Sequence, residues 1–322
     1  MEIITSVTED VIEKAARSLK DGHLVAFPTE TVYGLGADAT NEKAVSRIYS
    51  VKGRPTGHPL IVHISSINQL AKWAIDIPEY AIKLAKTYWP GPMTLILKKS
   101  LLAKDFVTGG QNNIGVRVPS HPLALALLKT FENLGGLGIA APSANRFGAV
   151  SPTTGEAVLE ELGEFLSAQD TILDGDKCLI GVESTIIDCT SAMPIILRPG
   201  AITAHIVKST AKLELRTIIN KNKIKASGLL DSHYAPKAKI KLGKIANPAE
   251  GFIAMSNIPT PIGAIRLASP KTNEEYAQVL YSSLRVADQK RIKTIAIILP
   301  SDIGIGGAIC DRLTKAANAN LC

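Results

Sequence analysis

Several shortages in this chain each close off a class of function. Its 322 residues include four cysteines and no CxxC pair, and Cys178, Cys189, Cys310 and Cys322 sit in apolar or terminal surroundings. A disulfide framework or thiolate metal cluster is not expected, and the thiols read as reduced. Aromatic residues make up 5%, too few for the aromatic-basic interleaving of single-strand binders. No uncharged apolar run reaches the roughly 18 residues that span a bilayer, and the opening MEIITSVTEDVIEK is acidic where a signal peptide would be apolar. The expected setting is the cytoplasm, with no membrane contact. Familiar nucleotide signatures are missing too: there is no GxxxxGK[ST], and Gly304-Ile-Gly-Gly307 lacks GxGxxG spacing. With no HExxH helix, no nucleophile elbow and no His at metal-ligand spacing from Cys or carboxylates, hydrolytic and zinc mechanisms rank low and no protein metal ligand is expected.

What is present is a large apolar complement, 46% hydrophobic against 20% charged, on a length that favours two domains. The net charge of +7 suits an anionic partner, nucleotide polyphosphate or RNA, without choosing between them. Ser6-Val-Thr-Glu9 has capping-box spacing before a helical pattern that runs to Gly22. A buried strand over His23–Phe27 follows, then the polar stretch 29–36. Helices are expected near 41–51, 67–74, 79–88, 122–133 and 154–163. Strands are expected near 60–64, 93–98, 114–118, 138–141, 171–174, 182–188 and 194–197. This is an α/β pattern over 1–205 with more irregular loops than a doubly wound sheet needs. Residues 206–236 read as an interdomain linker. Beyond Lys237, strand-like runs at Phe252–Ser256, Ala264–Leu267 and Thr294–Leu299 alternate with helices at 273–287 and 307–318, giving a small α/β domain over 237–322. A cut near residue 205 is expected to leave a soluble first domain.

Five segments carry groups that suit chemistry. Ser50-Val-Lys52-Gly-Arg54-Pro-Thr-Gly-His58 holds two cations and an imidazole on a Gly- and Pro-braced loop that enters the strand ending at His63. Arg offers a planar fork and Lys a compact charge for polyphosphate, although a solvated basic loop would look the same. Asn113-Ile-Gly-Val-Arg117 places a cation on an apolar strand, where it needs a partner or a ligand such as a carboxylate, or else a solvent-facing edge. Ala140-Ala141-Pro-Ser143-Ala-Asn145 through Ser151-Pro-Thr153 is a hydroxyl- and amide-rich loop after a strand end, equally consistent with turn and cap chemistry. Gly181-Val-Glu-Ser184 and Leu197-Arg198-Pro-Gly200 put further polar groups at strand boundaries.

Taken together, Phe27-Pro-Thr-Glu-Thr31-Val-Tyr-Gly-Leu-Gly36, Lys52-Gly-Arg-Pro55, His58-Pro-Leu60, Pro142-Ser-Ala-Asn145, Ser151-Pro-Thr153, Ser184-Thr185 and Arg198-Pro-Gly200 resemble the YrdC-type domain of threonylcarbamoyl-AMP synthases. Ser232-His-Tyr-Ala-Pro236 resembles the linker of the longer members, and Asp311-Arg-Leu313 fits their extra domain. The resemblance implies a YrdC-like twisted mixed sheet around a central positive cavity, followed by a small Rossmann-like α/β domain. It implies synthesis of threonylcarbamoyl-AMP and pyrophosphate from ATP, L-threonine and bicarbonate, with Mg2+ accompanying ATP. The product would pass to a tRNA threonylcarbamoyl transferase for the t6A modification at position 37, with weak tRNA contact as a further expectation. By position, Thr31, His63, Arg117, Ala141 and Ser184 would surround threonine. Lys52, Arg54, His58, Asn113, Ser143, Ser151, Arg198, His233 and Tyr234 would surround ATP, with Lys52 and Arg54 catalytic and the His233-Tyr234 segment closing as a lid. The family more often carries a residue such as Asn where His58 stands. Two rivals keep the same domain: a carbamoyl-adenylate-forming maturation enzyme, whose zinc-finger CxxC pairs are missing here, and a non-catalytic double-stranded RNA-binding module.

Overall fold

The computed structural model describes residues 3–216 and 225–319. The first part contains strands β1 (Ile3–Ile4), β2 (Val25–Phe27), β3 (Gly34–Asp38), β4 (Ile61–His63), β5 (Ala74–Ile75), β6 (Met93–Lys99), β7 (Asn113–Arg117), β8 (Ile139–Ala140), β9 (Thr171–Leu173), β10 (Thr185–Asp188) and β11 (Ile195–Arg198). Its helices are α1 (Glu9–Lys20), α2 (Glu42–Lys52), α3 (Leu70–Trp73), α4 (Glu79–Tyr88), α5 (Asp105–Thr108), α6 (Pro122–Asn133), α7 (Gly155–Leu162) and α8 (Ala204–Ala211). The strands form one mixed sheet in the order β1-β9-β2-β3-β8-β4-β7-β6-β10-β11, with β5 pairing on β6. Several details differ from the sequence reading. Thr8, not Ser6, caps α1 by accepting from the Val11 amide at 3.4 Å. The end of the polar stretch is itself a strand, β3, buried along its length. The boundary expected at 205/206 falls inside α8, which packs on α4.

A second, wholly parallel sheet follows, built from β12 (Lys239–Leu242), β13 (Gly251–Ile253), β14 (Ile265–Ala268) and β15 (Thr294–Ile297) in the order β12-β15-β13-β14. Helices α9 (Asn273–Gln289) and α10 (Gly306–Asn318) complete it. Among the described residues no helix is long and apolar enough to cross a membrane.

The two sheets are not packed as independent bodies. Val32, Val150 and Val182, all from the first part of the chain, belong to the same buried cluster as Tyr276, Leu280, Ile309 and Leu313 of α9 and α10. Each buried valine contributes about 1.5–3 kcal/mol to holding that contact. Polar pairs line the seam as well: Arg285 with Glu161 at 3.1 Å and Gln278 with the Leu179 carbonyl at 2.6 Å. A cut near residue 205 would therefore uncover Val32, Val150 and Val182 on the first part.

Candidate active site

Strand pairing brings the central side chains together. β4 and β7 run parallel with His63 opposite Arg117, while β8 lies antiparallel on the other side of β4 with Ile139 opposite His63. Parallel neighbours that end in register present their last side chains at one edge, the usual place for ligands in open α/β sheets. β8 leads directly to Ala141 and Ser143, and β10 begins just after Ser184. α2 stops at Lys52 because Gly53 adopts a left-handed φ of 61°, the glycine C-cap that turns the chain back toward β4. Arg54 follows and enters the same region. A partly enclosed cleft, open in part to solvent, results.

All five residues assigned to threonine line this cleft: Thr31, His63, Arg117, Ala141 and Ser184. Arg117 is ion-paired through Nη2 to Glu30 at 2.7 Å and donates from Nε to the Gly91 carbonyl at 3.3 Å. Glu30 also accepts from the Ser120 amide at 3.0 Å, so the guanidinium is held both directly by the Gly91 carbonyl and through a carboxylate that is itself anchored to the backbone. Burial, reinforced by the Arg117 cation, pushes His63 down to about 3, so the ring is neutral. Its Nδ1 is buried with no hydrogen-bond partner among the described residues. Thr31 shares a hydrogen bond with Thr29, and Ser184 with Thr94.

Of the residues assigned to ATP, Arg54, Ser143, Arg198, His233 and Tyr234 line the cleft. Arg54 donates to the Pro59 carbonyl at 2.9 Å and to Ser227 at 3.3 Å, and burial lowers its guanidinium to about 10. Arg198 holds Ser184 through Nε and Nη2 and reaches the Ser227 carbonyl through Nη1. Lys52 lies behind the cleft rather than in its lining: its ammonium donates to the Ser143 and Asn145 carbonyls, and burial followed by the neighbouring Arg54 charge pushes it well below the ordinary lysine value. The other three assigned residues also stand outside the lining. Half-buried His58 packs its ring edge-on against Phe147, Asn113 borders an adjoining hollow with Pro59 and Ser227, and Ser151 donates to Glu183 at 2.6 Å.

Sequence reasoning missed Glu30, Glu183, Phe147 and Ser227. Phe147 gathers a ring system: His58 and His233 lie edge-on to it, and the Arg54 guanidinium sits 5.6 Å from its centroid. Glu30 and Glu183 stand in the sequence as carboxylates beside small hydroxyl residues, and their burial means that each must meet a cation or donors. The segment after residue 225 also reaches the cleft. Ser227, Gly228, His233 and Tyr234 line it, and the Tyr234 hydroxyl lies 2.1 Å from where a Cβ on residue 228 would stand. Only glycine fits there. Among the described residues no group of three or more His, Cys, Asp or Glu side chains is arranged to hold a metal ion.

Comparison with known proteins agrees with this architecture. A family model described as telomere recombination, covering the Sua5, YciO and YrdC proteins, matches residues 17–200, and one described as the threonylcarbamoyl-AMP synthase C-terminal domain matches residues 201–318. The chain is 39% identical to the threonylcarbamoyl-AMP synthase of Pyrococcus abyssi over 340 residues, covering 98% of both chains. It is 37% identical to that of Bacillus subtilis, covering 98% of this chain and 95% of the relative. The crystal structure of P. abyssi Sua5 complexed with L-threonine superposes with a TM-score of 0.88 at 36% identity, covering 99% of this chain and 98% of that one. With both parts matched in order and relatives similar along nearly the whole length, the chain belongs to the threonylcarbamoyl-AMP synthase family.

Proposed function

We propose that the cleft binds ATP and L-threonine side by side and joins them, with bicarbonate-derived CO2, into threonylcarbamoyl-AMP and pyrophosphate. The observation that carries this reading is the convergence of Arg54, Arg117 and Arg198 with an uncharged His63 in one largely buried cleft. The threonine amine adds to CO2 to give a carbamate. A carbamate oxygen then attacks the α-phosphorus, and the bond to pyrophosphate breaks. Such in-line transfer asks the protein for positioning and for cancellation of charge. Arg117 takes the threonine carboxylate with Glu30 holding its fork in place. His63 offers a hydrogen-bonding nitrogen without adding a second positive charge beside Arg117. Arg54 and Arg198 face the phosphates, and Lys52 acts by fixing the backbone at Ser143 and Asn145 that borders them. Mg2+ arrives with the triphosphate as part of the substrate. The product is consumed by a transferase that modifies tRNA at position 37.

Pyrophosphate release from ATP should depend on both L-threonine and bicarbonate. Release without threonine would remove the synthase reading, and a carbamoyl-adenylate-forming enzyme would show that pattern. RNA binding with no pyrophosphate release would favour the non-catalytic module.

The segment 225–236 is proposed to be a lid over ATP. Tyr234 is buried at a positive φ of 64°, a conformation unfavourable for a tyrosine, and both its hydroxyl and the His233 Nδ1 are buried without a hydrogen-bond partner among the described residues. Two polar atoms in that state sit where a nucleotide would satisfy them. Limited proteolysis within 225–236 should slow several-fold when ATP and threonine are both present. Equal cleavage rates with and without the ligands would rule out the lid.

A further inference from the structure

We propose that the second sheet's helices supply two positioning residues to the reaction, Arg312 and Tyr281, which act through Glu183 to hold Arg198 in the lining of the cleft and Ser151 just behind it. The proposal rests on the reading of this cleft as the adenylate-forming site.

Glu183 lines the cleft and is buried. One carboxylate oxygen accepts from Ser151 at 2.6 Å and from the Tyr281 hydroxyl at 3.1 Å. The other accepts from the same hydroxyl at 3.0 Å and from the Arg312 Nε at 2.8 Å. Arg312 extends the grip. Its Nη1 pairs with Asp311 at 2.6 Å, its Nη2 donates to the Pro199 carbonyl at 3.0 Å, and its guanidinium lies 5.3 Å from the Tyr234 ring centroid. Pro199 follows Arg198, and Arg198 holds Ser184, the residue after Glu183. Helices α9 and α10 thus secure both chain segments that bring Ser184 and Arg198 to the cleft.

The charge balance gives this arrangement a signature that mere interdomain adhesion would lack. The titratable groups facing Glu183 are Arg312 from α10, itself paired with Asp311, Tyr281 from α9, Arg198 from β11, and His233 and Tyr234 from the segment over the cleft. Burial pushes the Glu183 carboxyl up, but Arg312 first, then Arg198, with hydrogen bonds from Arg312 and Ser151, outweigh it and hold the carboxyl at about 2. It is therefore anionic throughout the working range. Replacing Arg312 by methionine removes the largest of those opposing influences while filling similar space. Burial then dominates, the carboxyl binds a proton toward neutral pH, and Ser151 and Arg198 lose an anionic partner.

Threonine-dependent pyrophosphate release by the full chain tests this between roughly pH 5.5 and 8.5, a range in which a buried carboxyl without its cation titrates. The unaltered protein should carry no acid limb from Glu183. Arg312→Met should gain one, with kcat falling about tenfold toward pH 6 and the KM for ATP rising about tenfold while the KM for threonine changes little. Arg312→Met/Glu183→Gln should lose the new limb, because no carboxyl is left to titrate, and regain part of the activity. Tyr281→Phe removes one hydroxyl, keeps the fold, and should raise the KM for ATP several-fold. If Arg312→Met does not fold, Tyr281→Phe decides alone. An unchanged pH profile and ATP KM in the folded variants would overturn the proposal, as would an acid limb that survives in the double variant. Absence of threonine-dependent pyrophosphate release in the unaltered protein would instead remove the underlying reading.

Discussion

Replacing Arg117 by alanine should weaken L-threonine binding by at least about 30-fold and ATP binding by no more than a few-fold, since losing one partner of a desolvated, hydrogen-bonded charge pair costs about 2–5 kcal/mol. The structure adds a complication that the sequence hid. Arg117 is also the partner of Glu30, so the single variant strands a buried carboxylate as well as the ligand's. Arg117→Ala/Glu30→Gln separates the two effects: it relieves the stranded charge, restores folding stability, and leaves threonine binding weak. Isothermal titration of both ligands against both variants is the measurement. Equal losses for ATP and threonine would show that Arg117 supports the cleft as a whole rather than gripping the amino acid.

Acid should destabilise the protein well before its carboxylates titrate. Burial comes first among the causes that push both His63 and His233 from 6.5 to about 3; the Arg117 cation adds to it at His63, while at His233 the Glu183 carboxylate opposes it and Lys52, Arg54 and Arg198 add to it. In the unfolded chain these rings take up protons below about pH 6.5, while in the folded chain they do not until about pH 3. The unfolded state therefore binds more protons across that window, and stability falls as pH drops through it, by up to about 1.4 kcal/mol per ring per pH unit. The Glu183 carboxyl has the opposite placement. Its folded value of about 2 lies below its ordinary 4.5, so its contribution is fully present above 4.5 and is lost only in stronger acid. Denaturant unfolding at pH 7 and pH 5 should differ by roughly 4 kcal/mol from the two rings together. His63→Gln/His233→Gln should flatten that difference. An undiminished pH slope in the double variant would assign the acid sensitivity elsewhere.

Much of the fold could be read from local pattern. The helices α4, α6, α9 and α10 carry apolar residues at helical spacing and sit close to their expected ranges. β3 escaped because Gly34-Leu-Gly-Ala-Asp38 has two glycines and little β-branching, and it becomes a strand through pairing with β2 and β8 rather than through propensity. β12 escaped because Lys239-Ile-Lys-Leu242 reads as a charged segment. At the site, four of the five residues named for threonine occupy one cleft because each ends or adjoins a strand of the same sheet, and Thr31 joins them from the loop between β2 and β3. Lys52 shows what residue type leaves out: a lysine beside a polyphosphate-like loop is also held by the backbone carbonyls of Ser143 and Asn145. The pairings of Arg117 with Glu30 and of Arg312 with Glu183 span 87 and 129 residues, and no local spacing encodes them.

The valines that the first sheet lends to the second sheet's core bear on how the molecule comes apart. A chain with two separate cores can lose one and keep the other, populating a half-melted species with sticky surface. Here Val32, Val150 and Val182 come from the first part of the chain but sit in the second sheet's core, so disordering α9 and α10 uncovers apolar surface beside the cleft itself. The second sheet then acts as a thermodynamic brace. Its loosening and the opening of the cleft draw on the same free energy, and the two ends of the chain are expected to melt as one cooperative unit.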